Sequence, residues 1–250
     1  MEGLKVLKNT QVIILGLCIA AATIFSSVIL SQGFMKVKKF SNEVIAVTGS
    51  AEKKIKSDYI VWTSGFFTRN ADLTAAFAKL KEDLKAVKEY LADKGIKDEE
   101  LTFAQVNTTV LYKKNEKGYD TNEIEGYKLT QGIEVKSYDI DRIDAVSRES
   151  TELINKGIEF ISVSPEYFYT KLSDLKIEML QKATDDAKKR AEAMAKSTGN
   201  SIGLMRSARM GVFQITPVNS YDVSWYGKND TSSLDKKVTA VVNVEFAIKE

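Results

Sequence analysis

The chain contains no histidine, one cysteine and two prolines in 250 residues. Without histidine it lacks the commonest general base near neutral pH and the commonest transition-metal ligand. Ser-His-Asp and Cys-His constellations are excluded. Carboxylate chemistry and a Ser-Lys pair are not, but no nucleophile elbow, phosphate loop or metal-ligand spacing is present. The composition therefore reads as non-enzymatic, with no cofactor implied. A single cysteine, Cys18, forbids an intrachain disulfide and a zinc site built from cysteines. A strong charge of either sign is also missing. The formal net charge of +2 falls to +1 when Glu2, Lys5 and Lys8 are set aside, so the body beyond residue 35 offers no basic footprint for nucleic acid.

Charge is absent altogether from Asn9 to Met35, and Val12 to Leu30 is almost wholly apolar. A helix of about 20 such residues, at ~1.5 Å rise each, crosses the hydrocarbon core of a bilayer. A cleaved secretory signal is the alternative, but its apolar stretch is roughly 7–15 residues, and Leu30-Ser31-Gln32-Gly33 is a loose cleavage site. Lipid attachment at Cys18 fits poorly behind the bulky Leu17. A buried core helix would not be apolar on every face. Residues 1–35 thus read as an uncleaved single-pass anchor and residues 36–250 as one water-exposed domain. Lys5 and Lys8 precede the span and Lys36, Lys38 and Lys39 follow it, so flanking charge gives no clear orientation and leans slightly against export.

The remainder alternates strand and helix patterns. Val44–Val47 reads as a short strand leading to Gly49, and Ile55–Arg69 as a longer one with a bulge at Gly65. A helix follows over about Asp72–Lys94, with Leu73, Ala76, Phe77, Leu80, Leu84, Val87 and Leu91 along one stripe. Leu101–Tyr112 and Ile124–Ser137 flank a polar tip and form a hairpin, in which Tyr127, Leu129, Ile133 and Val135 share a face. Asp139 opens a second helix with Ile143, Val146, Leu153 and Ile154 inward, and Ile158–Thr170 is a strand broken near Pro165. This β-α-β-β-α-β order predicts an α+β fold with a ferredoxin-like core, an antiparallel sheet with packed helices. A further helix, Ser173–Ser197, and two closing strands, Ile202–Phe213 and Val238–Ile248, complete the chain. In that helix Ala183, Ala187, Ala191 and Ala195 recur every fourth residue, either as a plain core face or as a groove for a closely packed helix.

Three stretches, Val44–Glu52, Gly126–Val135 and Ala183–Ala195, together resemble the SIMPL-domain family of bacterial envelope proteins. Val44-Ile45-Ala46-Val47-Thr48-Gly49-Ser50-Ala51-Glu52 is similar to its opening strand and V-x-G-x-G/A-E turn. Gly126-Tyr127-Lys128-Leu129-Thr130-Gln131-Gly132-Ile133-Glu134-Val135 resembles its G-Y-x-x-S/T-x-x-I/L-x-V strand. Ala183-Thr184-Asp185-Asp186-Ala187-Lys188-Lys189-Arg190-Ala191-Glu192-Ala193-Met194-Ala195 resembles its A-x-x-D-A-R-x-R-A-E-x-L/M-A helix. Ser57-Asp58 stands where Pro-Asp is usual, and Lys188 where Arg is usual. The resemblance implies an exported protein, periplasmic or extracellular, in a family without established catalytic residues. Some members form ring- or channel-like homo-oligomers and some are linked to oxidative stress. Its implied role here is that of a membrane-anchored, self-associating envelope protein with a structural or stress-related function. A ligand- or partner-binding envelope sensor is the alternative, and a histidine-free enzyme is third.

Charged clusters read as ordinary surface. Asp185, Asp186, Lys188, Lys189, Arg190 and Glu192 have the spacing of helical ion pairs, and Asp139, Asp141 and Asp144 suit a helix N-terminus. The segment Gly211–Lys237 is different: it is long, and it carries Tyr221, Trp225 and Tyr226. Loops of this length are functional or disordered, and these residue types favour a subunit or partner contact. The full-length chain is expected in washed membranes and to need detergent for extraction. Its recovery in the detergent-free soluble fraction would overturn the anchor.

Overall fold

A computed structural model describes Glu2–Lys249. Helix α1 (Glu2–Asn42) contains one span, Gln11–Met35, long and apolar enough to cross a membrane. Its 25 residues extend about 37 Å, enough for a hydrocarbon core of about 30 Å. Every side chain of the span is exposed, including Phe25, Leu30 and Phe34. This fits a single-pass anchor or a signal peptide. The side chains of Lys5, Lys8, Lys36, Lys38 and Lys39 lie outside the described residues.

The chain divides into two compact units, one of Met1–Ala51, Leu180–Gly211 and Val241–Glu250, the other of Glu52–Met179 and Val212–Ala240. The second unit contains the expected ferredoxin-like core. Its strands are β2 (Tyr59–Asn70), β3 (Leu101–Lys114), β4 (Asp120–Ser137), β5 (Glu159–Ser162) and β6 (Glu166–Phe168). The order is β3-β4-β2-β5, with β6 also on β2, and every pairing is antiparallel. Helices α2 (Leu73–Asp93) and α3 (Ile140–Glu149) pack on one face. There Ile60, Trp62 and Phe66 of β2 meet Leu129, Ile133 and Val135 of β4, Leu80, Val87 and Leu91 of α2, and Ile143 of α3. The Trp62 indole N–H donates to Ser162 Oγ at 3.1 Å, and the Ser162 hydroxyl donates in turn to the Ser147 carbonyl at 2.8 Å. The polar end of the largest core side chain is thereby satisfied.

Several expectations are corrected. The strand expected over Ile55–Arg69 is two: β1 (Val44–Lys56), much longer than Val44–Val47, and β2. Ser57-Asp58 separates them, with amides committed to the carbonyls of Leu234 and Phe168 at 2.9 Å each, while the Asp58 carboxylate takes Thr170 N–H and O–H. Gly65 lies opposite Gly132 in an unbroken ladder and is no bulge. Leu73 and Phe77 at the start of α2 and Ile154 after α3 are exposed rather than inward. Asp72 caps α2 by accepting the Ala75 amide at 2.8 Å.

A polar staple holds α3 to the start of β3. Glu100 receives Arg142 at 2.7 and 3.0 Å and the Lys97 amide at 3.0 Å, and it also accepts from Ser137. Burial pushes the Glu100 carboxyl up, but Ser137, the Lys97 amide and Arg142 outweigh it and hold it below its ordinary value of 4.5.

In the first unit, β10 (Asp235–Lys249) pairs antiparallel with β7 (Ser201–Met210) over Val242–Lys249. Strand β7 stops at Met210, short of the expected Phe213. Ala183, Ala187, Ala191 and Ala195 of α4 (Leu172–Ser197) are fully buried. Among the described residues no helix occupies the groove at Ala183 and Ala187. The backbone of Gly49 in β1 does, so closely that an added Cβ would lie 2.6 Å from Ala187 Cβ and collide with the Ala183 carbonyl. Small side chains on the helix and none on the strand let the two backbones touch. Asp186 then accepts the Ser50 amide at 2.8 Å and Arg190 at 2.8 Å, which keep its carboxyl below the ordinary range. The expected surface ion pair is thus also a tie to β1.

Gly49→Ala is expected to lower stability by about 1–3 kcal/mol through overpacking, read as an earlier thermal transition of the detergent-solubilised chain. Glu100→Gln should cost roughly 1–3 kcal/mol near neutral pH, the worth of charged hydrogen bonds. Because the folded carboxyl titrates below the unfolded one, that stabilisation is complete above pH 4.5 and fades as pH falls through the folded value. The stability gap between native chain and variant should therefore be flat above pH 4.5 and close below it; an unchanged gap in acid would refute the staple.

Candidate functional site

The segment between β7 and β10 is built, not structureless. Strand β8 (Gln214–Pro217) pairs antiparallel with Lys236–Thr239 of β10, and the two-residue β9 (Lys228–Asn229) runs parallel to β8. Gln214 closes the base of the tip by two hydrogen bonds to one residue: its Nε2 donates to the Ser224 carbonyl at 2.7 Å and its Oε1 accepts the Ser224 amide at 3.2 Å. Lys228 pairs with Asp222 across the same tip. Gly227 ends it at φ +84°, where a Cβ would come within 2.8 Å of the Phe213 carbonyl oxygen. Only glycine fits both the left-handed conformation and that approach.

Below the tip, residues 230–233 are fastened on two sides. The Asp230 amide donates to Ile215 O at 3.0 Å, and the Tyr167 amide donates to Thr231 O at 2.7 Å. Asp230 accepts from Ser232 and Ser233, which hold its carboxyl low even though burial alone would raise it. Lys236 is 2% exposed, and its ammonium donates to the Tyr167 carbonyl at 2.7 Å and to the Asp230 carbonyl. Burial pushes the Lys236 ammonium down against the favourable pull of Asp230 and Glu166. Tyr167 in turn donates to Asp144 at 2.7 Å, and burial with that bond pushes its phenol up to about 12.

On this fastened base the three aromatic residues singled out in the sequence project into solvent. Tyr221, Trp225 and Tyr226 are 93%, 93% and 96% exposed, and Val223 beside them is also exposed. Lys237 Nζ lies 5.4 Å from the Tyr221 ring centroid, close enough for a weak cation–π contact. Sequence reasoning found the aromatic residues but missed Gln214, Ser224 and Lys236, whose roles depend on which backbone groups the fold brings to them. Asp139, the first of the expected capping residues, accepts the Arg142 amide, and Asp144 is taken up by Tyr167 and Arg148. Among the described residues no group of three or more His, Cys, Asp or Glu side chains gathers as a metal site would.

A surface groove of about 740 Å³ opens beside the end of β2, lined by Arg69, Lys114, Asp120, Glu125 and Lys128 among others. Its charges are mixed, and Lys128 and Arg69 are drawn to the Phe67 ring at 4.0 and 4.9 Å.

The family model of SIMPL, described as a protein of unknown function (DUF541), matches residues 45–246. No curated protein matches the chain. Among solved structures, an amidase of the hydantoinase/carbamoylase family from Burkholderia phymatum aligns at 10% identity and a TM-score of 0.27. That alignment covers 54% of this chain and 34% of the amidase, so the chain spans about a third of its length. A likeness of that size carries no argument about function.

Proposed function

The chain belongs to the SIMPL family, and from that premise we propose that it is a membrane-anchored, extracytoplasmic envelope protein that assembles with copies of itself. Its role on this reading is structural or stress-related rather than catalytic, in a ring- or channel-like homo-oligomer. The apolar span Gln11–Met35 supports the anchor. The observation that carries self-association is the presentation of Tyr221, Trp225 and Tyr226 almost wholly in water by a loop whose base is hydrogen-bonded throughout. Aromatic side chains bury roughly 150–250 Å² each, so three supply roughly 450–750 Å² of the ~800 Å² that one partner contributes to a standard interface. A preformed base also lowers the ordering cost on association.

The competing sensor reading draws on the groove at Arg69, Lys114 and Lys128, which is large enough for a small molecule. Mass in solution separates the two. The detergent-solubilised chain is expected to be a discrete oligomer by light scattering. Replacing Tyr221, Trp225 and Tyr226 together by Ser should weaken its association by about 30-fold or more, the effect of one hot spot of ~2 kcal/mol. An unchanged oligomer would remove the loop from the interface, and a monomeric native chain would favour the sensor.

A further inference from the structure

A cavity of about 480 Å³ lies in the second unit, between α3 and the break that separates β5 from β6. That volume is within the roughly 300–1,000 Å³ of small-molecule sites. Most of the hydroxyl groups that line it spend their proton on their own chain. Ser147 donates to the Asp144 carbonyl at 2.8 Å and Thr151 to the Arg148 carbonyl at 3.3 Å. Ser162 donates to the Ser147 carbonyl at 2.8 Å and Ser232 to the Asp230 carboxylate at 2.7 Å. A hydroxyl oxygen keeps two acceptor positions once its proton is spent, and at Ser162 the Trp62 indole takes one of them. The wall is thus a set of hydrogen-bond acceptors, each fixed in place by a bond to its own chain. Behind it, Ser64 lies directly opposite Ser162 in the ladder, on the same face of the sheet. The Ser64 hydroxyl is buried and meets no partner among the described residues, which is uncommon for a polar group in that position.

Charge is balanced at the rim. Asp144 accepts from Tyr167 at 2.7 Å and pairs with Arg148, whose guanidinium brings further N–H donors to the cavity. With a carboxylate and a guanidinium side by side, neither an anion nor a cation is favoured. Val163, Pro165 and the half-buried Tyr167 ring add apolar surface. A matching ligand has O–H groups to donate to the wall, oxygens to accept from Arg148, and C–H faces to lie against the apolar side. We propose that this cavity binds a neutral polyhydroxylated molecule of monosaccharide size, either free or as one unit of a glycan. Its acceptors are held before the ligand arrives, which lowers the ordering cost of binding. The site uses none of the aromatic loop residues and stands apart from the self-association proposed above.

The test is calorimetric titration of the full-length chain in a polyoxyethylene detergent, which carries no sugar headgroup. The neutral probes are glucose, mannose and myo-inositol, and the charged ones glucosamine and glucuronate. Saturable binding of at least one neutral probe is expected, with both charged probes weaker. Thr151→Val keeps the side-chain shape at an exposed position and removes one acceptor, so it should weaken that binding about fivefold, the worth of one hydrogen bond. Ser164→Trp, at an exposed lining position, should fill the cavity and abolish binding with an unchanged circular dichroism spectrum. Thr109→Val, in the groove beside β2, should leave the affinity as it is. Absence of saturable binding by every neutral probe overturns the proposal, as does preference for a charged one. So does undiminished binding in Ser164→Trp, or a loss confined to Thr109→Val, which would move the ligand to the other groove. Maltotriose serves as a further probe if glucose binds: a gain in affinity assigns a glycan chain and no gain a free sugar, and either result upholds the site. Oligomer mass is read separately, so failure of the aromatic interface and failure of this site are distinguishable.

Discussion

Burial of one face of β2 is the constraint that orders the larger unit. Ile60, Trp62 and Phe66 lie at period two on a strand, so all three enter the core or all three leave it. Once they are under α2 and α3, the register with β4 is fixed over eleven residue pairs, from Ile60 opposite Ser137 to Asn70 opposite Tyr127. The other edge of β2 is taken by β5 and β6, whose break at Pro165 lets one strand receive both. With β2 saturated on both sides, hydrogen-bonding capacity remains at the margins. Strand β3 is left as an edge by the same topology that buries the tryptophan.

The loop that carries the aromatic residues owes its order to polar groups placed where water is largely excluded. A lysine as buried as Lys236 is costly unless its ammonium finds acceptors. Two backbone carbonyls, from Tyr167 and Asp230, accept its protons, and neither belongs to a carboxylate. It thus fastens loop to strand through dipoles rather than through a salt bridge. Gln214 does the same for the tip. Such connections fix geometry because an unsatisfied partner would be penalised, and they leave the apolar side chains above them with nothing of their own chain to cover.

In the smaller unit the controlling feature is an absence of side chain. Every fourth residue of α4 from Ala183 to Ala195 is alanine, and Gly49 meets that stripe with bare backbone. Close approach then brings the Ser50 amide to Asp186, so a residue that reads as half of an ordinary surface ion pair becomes an acceptor for a strand.

Local patterns were legible without coordinates: the uncharged run Asn9–Met35, the helical stripe of α2, the alternation Val238–Phe246 in β10, and the β-α-β-β-α-β order that yields the ferredoxin-like core. Each depends on residues near one another in the chain, whose spacing maps directly onto helix or strand geometry. The split at Ser57-Asp58 was not legible, because the groups that satisfy those two amides lie more than a hundred residues away, at Phe168 and Leu234. Nor was the strand in the alanine groove, the carbonyl cradle of Lys236, or which strand of the sheet would be left with an open edge. Spacing along the chain determined the elements and the residue types available for contact. Only tertiary structure decided which of them were consumed inside the fold and which stayed outside, since burial and hydrogen-bond satisfaction depend on neighbours that the chain brings from afar.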